Sequence, residues 1–312
     1  MLLRVVHAIE THGLTRRFDG RVAVDGLSLT IETGTVFGFL GPNGAGKTTT
    51  VRMLAALIAP TDGDAIVAGH VLGVDDTALR GSVGILTEQP GLYDRLSARQ
   101  NLRYFARLYE LEPARADMQV ERYLHLLELW DRRDEPVGTF SKGMRQKLAI
   151  ARALLHEPSV VFLDEPTAAL DPEAARTVRD FVKSLKAEGR TIFLTTHNLP
   201  EADELCDGIG IFQRRLLRVG SPRELRASLF GAGTVVRVVG DAARYVPVVR
   251  TLGFVREVRA DDNTLTVQLD DPDSRNPELV DALRDAGARI RYVEPLQHSL
   301  EDVYMRLVGG HT

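Results

Sequence analysis

A single cysteine, Cys206, stands in 312 residues. That excludes an internal disulfide and fits a reducing compartment. No apolar run approaches the roughly 18 residues needed to cross a bilayer, so the chain itself is expected to stay in the cytoplasm. The opening MLLRVVHAIE carries an arginine inside its short apolar start and lacks a signal-peptide cleavage pattern. Neither sign of charge dominates: 39 Lys and Arg face 43 Asp and Glu, for a formal net charge of −4. Nothing global therefore argues for a nucleic acid partner or an anionic membrane surface. What remains is an ordinary globular composition, 44% hydrophobic and 26% charged, at a length suited to one large domain and a smaller one.

The densest chemistry lies in TVFGFLGPNGAGKTTTVRMLAALIAP. Val36 to Leu40 reads as a short apolar strand. Gly41, Pro42, Asn43, Gly44, Ala45, Gly46, Lys47 and Thr48 then fit G-x-x-x-x-G-K-[ST]. A helix follows, with Val51, Leu54, Ala55, Leu57 and Ile58 on one face. In such a loop the glycines let backbone N–H groups wrap phosphates. Lys47 reaches the terminal phosphates, and the Thr48 hydroxyl can ligate Mg²⁺. A nucleotide site is expected here.

A second segment, PSVVFLDEPTAALD, supplies the matching acids. Ser159 to Leu163 is an unbroken β-rich run, as expected of a buried parallel strand. Asp164 and Glu165 sit at its carboxyl end. In a P-loop enzyme the first acid holds Mg²⁺, directly or through water, and the second is placed to polarise the water that attacks the γ-phosphate. The alternative, that both merely cap a turn, suits a lone DEP better than one paired with a P-loop. Upstream, TFSKGMRQKLAI is an odd helix front. Ser141 can N-cap, Gly143 lets a backbone or ligand approach, and the first turn offers free N–H groups to an anion.

Taken together, GPNGAGKTT, SKGMRQKLAIARALLHEPSVVFLDEPTAALD and TTHNLPEAD resemble the ATPase subunit of an ABC transporter, over about residues 10 to 230. Within that family the chain most resembles the daunorubicin-resistance type of drug-export subunit, in which SKGM replaces the commoner SGGQ and a tail like SLEDVYMRLVG follows. The resemblance implies an α/β P-loop domain at 10–230, with an inserted helical subdomain at about 90–155. It assigns Phe18 to stacking on adenine, with a core position near a strand end as the alternative. Asn43 to Thr49, Thr48 and Thr49 included, cradle the triphosphate. Asp171 belongs to the D-loop and equally suits an N-cap, with Pro172 at N1. His197, beyond the apolar strand TIFLTT, is the switch histidine that contacts the γ-phosphate and orders Glu165.

The resemblance departs from the family pattern at LTEQPGLY, where glutamine is common at the position that Glu88 takes here. Glu88 is the expected Q-loop residue and Mg²⁺ ligand, and Gln89 is the alternative. Ser141, Lys142, Gly143 and Met144 would close over the γ-phosphate held by an opposite subunit. The implied set is ATP and Mg²⁺, a homodimer of ATPase subunits, and a separate permease. The chain would be peripheral on the inner face of the membrane, with no nucleic acid.

After the Q-loop, Ser97 and Gln100 make a capping box. Leu102, Phe105, Ala106 and Tyr109 share one helical face, and Leu124, Leu127 and Leu129 mark a second helix. Tyr104, Phe105 and Tyr109 can dock a permease or form subdomain core. Cys206 reads as a small buried apolar residue. From residue 234 to 312 the pattern is βαββαβ, a small α+β split-βαβ module, with Pro247 confined to a helix's first turn. Export is favoured over two other roles for such ATPases. Members acting on ribosomes carry two cassettes, whereas each motif occurs once here. Those acting on chromosomes interrupt the cassette with long coiled coils, and no heptads do so here.

Overall fold

The computed structural model describes residues 7–87, 90–230, 232–296 and 298–308. The chain divides into two compact units, the first ending at Pro222 and the second beginning at Arg223.

In the first unit, β1 (His7–Phe18) and β2 (Arg21–Glu32) form a long hairpin, and β3 (Val36–Leu40) leads into α1 (Lys47–Leu54). The hairpin β4 (Asp62–Val67) and β5 (His70–Val71) precedes α2 (Asp76–Ser82) and β6 (Val83–Leu86). Three helices follow, α3 (Ala98–Leu108), α4 (Pro113–Leu126) and α5 (Lys142–Leu154). The chain then returns through β7 (Val160–Asp164), α6 (Pro172–Ala187), β8 (Thr191–Thr196) and α7 (Leu199–Leu205). It ends the unit with β9 (Gly208–Gln213) and β10 (Arg215–Gly220).

Six strands make the central sheet in the order β10-β9-β3-β8-β7-β6. All its pairs are parallel except β9 with β10. Every residue of β3, β7 and β8 is buried, which explains why these strands read as continuous apolar runs rather than alternating ones. Phe39 packs between Phe193 and Phe212, with ring centroids 5.2 and 4.5 Å away. This core fixes the carboxyl ends of β3, β7 and β8 side by side, where open α/β sheets place their ligands. A second, antiparallel sheet runs β2-β1-β4-β5, and its apolar residues, among them Ile9, Leu27 and Val67, belong to the same core.

The expected capping box is formed. Ser97 Oγ accepts from the Gln100 N–H at 3.2 Å, and Gln100 Oε1 accepts from the Ser97 N–H at 2.9 Å. Leu124, Leu127 and Leu129 are all buried, although the helix itself ends at Leu126. Of the three aromatics, Tyr104 is exposed and meets the Tyr93 ring edge-on, whereas Tyr109 stacks on His156 at 3.8 Å.

From Arg223 the second unit takes in all of α8 (Pro222–Phe230) but its first residue, then β11 (Gly233–Val238), α9 (Val246–Arg250), β12 (Val255–Asp261) and β13 (Thr264–Leu269). It closes with α10 (Pro272–Asp285), β14 (Ile290–Pro295) and α11 (Leu300–Val308). Its sheet runs β12-β13-β11-β14, with all pairs antiparallel. That is the strand order of a split βαβ module. Leu279 and Leu283 of α10 cover its apolar face, on Val236, Val238, Leu265 and Val267. Pro247 sits in the first turn of α9, as its missing N–H demands. Helix α10 starts a turn before the apolar repeat, at Pro272, and so contains Pro277. Helix α11 was not anticipated. Ser299 and Asp302 cap it reciprocally, and Arg306 donates to the Leu229 carbonyl at 2.7 Å, tying α11 to α8.

Candidate active site

The loop between β3 and α1 must pass very close to its neighbours. A Cβ on Gly41 would lie 2.2 Å from the Phe212 carbonyl oxygen. One on Gly46, at φ 105°, would lie 2.2 Å from that of Ala23. Only glycine fits either place. The loop is also tied by its backbone, Arg214 N–H donating to the Ala45 carbonyl at 2.9 Å. The result is a cleft of about 520 Å³ lined by Pro42 to Thr49, with Ala23, Glu165, Ala168 and His197. Lys47, 7% exposed, donates from Nζ to the Gly41 carbonyl at 2.7 Å and to that of Pro42 at 3.3 Å.

Three strand ends converge on this cleft. Asp164 ends β7, is 2% exposed, and accepts a hydrogen bond from the Thr195 hydroxyl on β8. Glu165 adopts φ 51°, left-handed and unfavourable for a residue with a Cβ. Its carboxylate lies between two partners: Oε1 is 3.6 Å from Lys47 Nζ and Oε2 is 2.8 Å from His197 Nδ1. His197 is otherwise exposed, so its position comes from the turn that carries it. A carboxylate braced by an imidazole and facing a phosphate-binding loop can accept a proton from water attacking a bound phosphoryl group.

The other expected residues lie apart from this cleft. Phe18 ends β1 and is 42% exposed, with the Arg16 guanidinium 4.5 Å over its ring. The core alternative for Phe18 is thereby excluded. Ser141 caps α5, its Oγ accepting from the Met144 N–H at 3.2 Å, and Lys142 beside it is exposed. Gly143 is buried, and a Cβ there would meet Ala174 at 3.0 Å. The close approach read from the sequence is thus made by α6. Asp171 accepts from the Ala174 N–H at 2.8 Å, capping α6 as expected. The Q-loop positions Glu88 and Gln89 lie outside the described residues.

Two contacts at this site were not anticipated. The buried Gln146 side chain donates to the Pro166 carbonyl at 3.0 Å, joining α5 to the turn after Glu165. The hydroxyls of Thr195 and Thr196 engage both sides of β8, and a pair of threonines at a buried strand end was the available signal. Cys206 is buried and its thiol is pushed far up by that burial, as its apolar reading requires.

Residues 24–168 match the family described as ABC transporter, and residues 220–308 match the ATP-binding protein DrrA1-3-like, C-terminal domain. Daunorubicin resistance ATP-binding protein DrrA3 of Streptomyces coeruleorubidus is 37% identical over 305 residues, covering 97% of this chain and 96% of its own. The chain belongs to the ABC transporter ATP-binding subunits of the daunorubicin-resistance type. Nod factor export ATP-binding protein I of Rhizobium sp. (strain N33) is 34% identical over 303 residues, covering 97% of both chains. A solved ATP binding subunit of an ABC transporter superposes with a TM-score of 0.67 at 29% identity, over 72% of this chain and 94% of that one. Membership makes this ABC subunit an ATP-binding ATPase. No helix among its described residues is long and apolar enough to cross a membrane.

Proposed function

We propose that the chain is the ATP-hydrolysing motor of an export complex, acting with a separate permease on drug, antibiotic or lipid-like cargo. The constellation that carries this reading is Glu165 held between Lys47 and His197 at the mouth of the P-loop. In this reading Lys47 neutralises the terminal phosphates and Asn43 to Thr49 wrap them. Glu165 accepts the proton of the attacking water, and His197 orients Glu165 and touches the γ-phosphate. Support for export comes from the relatives. The resemblance to DrrA3 and to the Nod factor export protein runs through the C-terminal unit as well as the cassette. The alternative of a soluble ATPase acting on translation or DNA has no counterpart in these relatives.

Mg²⁺ fits the donor set. Thr48 lines the cleft, Asp164 ends the adjacent strand, and both offer hard oxygens. No group of three or more His, Cys, Asp or Glu that could hold a metal occurs among the described residues. Mg²⁺ commonly takes one or two protein oxygens and completes its shell with water and phosphate. The ion would supply charge neutralisation at the β- and γ-phosphates; the chain's own residues do the positioning. Glu88 or Gln89 would complete the Q-loop.

The signature residues Ser141 to Met144 lie outside their own chain's P-loop cleft. They are read as serving the nucleotide of a second copy, so that two chains bury two ATP molecules head to tail. Phe18 is read as the adenine platform, its side chain being partly exposed at the end of β1. The chain would then be peripheral on the inner face of the membrane. Fractionation tests the assembly: the chain should pellet with membranes when the separate permease it serves is co-produced and remain in the supernatant without it. Pelleting that ignores the partner would point to a different anchor.

A further inference from the structure

Successive residues of a strand face opposite sides, and β8 ends in two buried threonines, Thr195 and Thr196. The Thr195 hydroxyl donates to Asp164 Oδ1 and accepts from the Glu165 N–H at 3.2 Å; the same N–H donates to the Thr195 carbonyl at 3.0 Å. On the other side, the Thr196 hydroxyl donates to Glu201 Oε2 at 3.0 Å and accepts from the Asn198 N–H at 3.0 Å. Each hydroxyl is therefore used twice. Glu201, on α7, is only 2% exposed. Burial raises its carboxyl above the usual range, and the nearby Thr167 hydroxyl, on the turn after Glu165, acts in the opposite direction.

From this we infer that Thr195 and Thr196 are positioning residues for ATP hydrolysis. Thr195 fixes the two acids that follow β7; Thr196, braced by Glu201, fixes the turn that carries His197. Between them they hold the 2.8 Å contact of His197 with Glu165. The inference rests on the ATPase reading above. It follows from what packing leaves undone. Glu165 occupies a backbone conformation that persists only when its surroundings over-determine it. His197 is too exposed for packing to hold its ring. Two strand-end hydroxyls supply the missing constraints, and both belong to the rigid core of the sheet rather than to the loops they restrain.

Valine matches threonine in shape and lacks the hydroxyl, so it isolates the bonds from the packing. The full chain should be assayed as Thr195→Val, Thr196→Val, Thr195→Ser and Thr196→Ser, reading kcat, KM for ATP and melting temperature. Loss of one such bond at the reacting group corresponds to a roughly tenfold fall in kcat. That fall is expected in each valine variant, with KM within about twofold, and each serine variant should recover most of the rate. In the Glu165→Gln background, Thr195→Val should cause a smaller loss than in wild type, because the part that acts through the Glu165 carboxylate is already gone while the Asp164 bond is still broken. A valine variant within about twofold of wild type overturns the inference, as does failure of serine to restore the rate or a loss expressed in KM. Should a valine variant not fold, Glu201 supplies a second test. Glu201→Gln keeps an acceptor for Thr196 and should retain activity, whereas Glu201→Met removes it and should not. Equal behaviour of those two overturns the role of Thr196. A wild-type chain that releases no phosphate would instead overturn the ATPase reading itself, which the Glu201 comparison cannot do.

Discussion

Replacing Gly46 by alanine attacks the site through the backbone alone. The residue has φ 105° and ψ 7°, and an added Cβ would sit 2.2 Å from the Ala23 carbonyl oxygen and 3.2 Å from the Phe212 ring. The left-handed conformation costs an alanine about 1–2 kcal/mol, and overpacking against fixed neighbours costs about 1–3 kcal/mol. Neither neighbour can easily withdraw. Ala23 belongs to β2, and the loop is tied through Arg214 to both Ala45 and Asp25. The sum is about 2–5 kcal/mol, which for a domain of this size lowers the melting temperature by about 5–15 °C. The alternative is for the loop to shift, which would spare stability and lose the phosphate cradle. Gly69→Ala is the control: φ is 80° and no atom of the described residues lies within 4 Å of the added Cβ, so only the conformational cost applies. Calorimetry and titration with a fluorescent ATP analogue read both effects. A Gly46→Ala chain that melts with the control and binds nucleotide normally would refute the reasoning.

Two further outcomes follow from the geometry. A chain carrying Glu165→Gln, Ser141→Cys and Asn43→Cys should give a covalent dimer with a short thiol crosslinker when ATP is present and little without it. The buried Cys206 stays silent, and crosslinking that ignores ATP, or stays within one chain, would remove the in-trans role of the signature. Stability should also fall as pH drops below about 6.5, because burial depresses the His156 pKa while its ring bonds to the Val83 carbonyl and Nδ1 has no partner among the described residues. The unfolded chain takes up that proton first, so the stabilisation is intact above the ordinary histidine pKa and is lost as pH falls through the folded value. His156→Phe should flatten the difference in melting temperature between pH 7.5 and 5.5; an unchanged difference would sink the assignment.

Much of the site was legible because its chemistry is carried by residue types at fixed spacing on strand ends. Lys47, Thr48, Asp164, Glu165 and His197 could each be placed from an apolar strand followed by a polar residue, and the sheet brings those ends together. What escaped depends on contacts between distant segments. The antiparallel sheet pairs β1 with β4, and no local pattern records the partner of a strand some fifty residues away. Gly143 announced a close approach without naming what approaches, and Ala174 proved to be the neighbour. Thr195 and Thr196 read as ordinary β-formers, since a buried hydroxyl reveals its partner only once β7 and α7 are in place. Helix α11 was missed although Ser299 and Asp302 have capping spacing, because nothing in sequence marks the groups it covers.

The central claim is that Glu165 acts on the attacking water while Lys47 acts on the phosphates. Phosphate release and ATP affinity of the Glu165→Gln chain, measured beside Lys47→Ala, test it most directly. Glu165→Gln should bind ATP as well as wild type and release phosphate at least about a hundredfold more slowly, as loss of a general base requires; Lys47→Ala should fail to bind. Normal turnover by Glu165→Gln, or its loss of ATP binding alongside Lys47→Ala, would contradict the account.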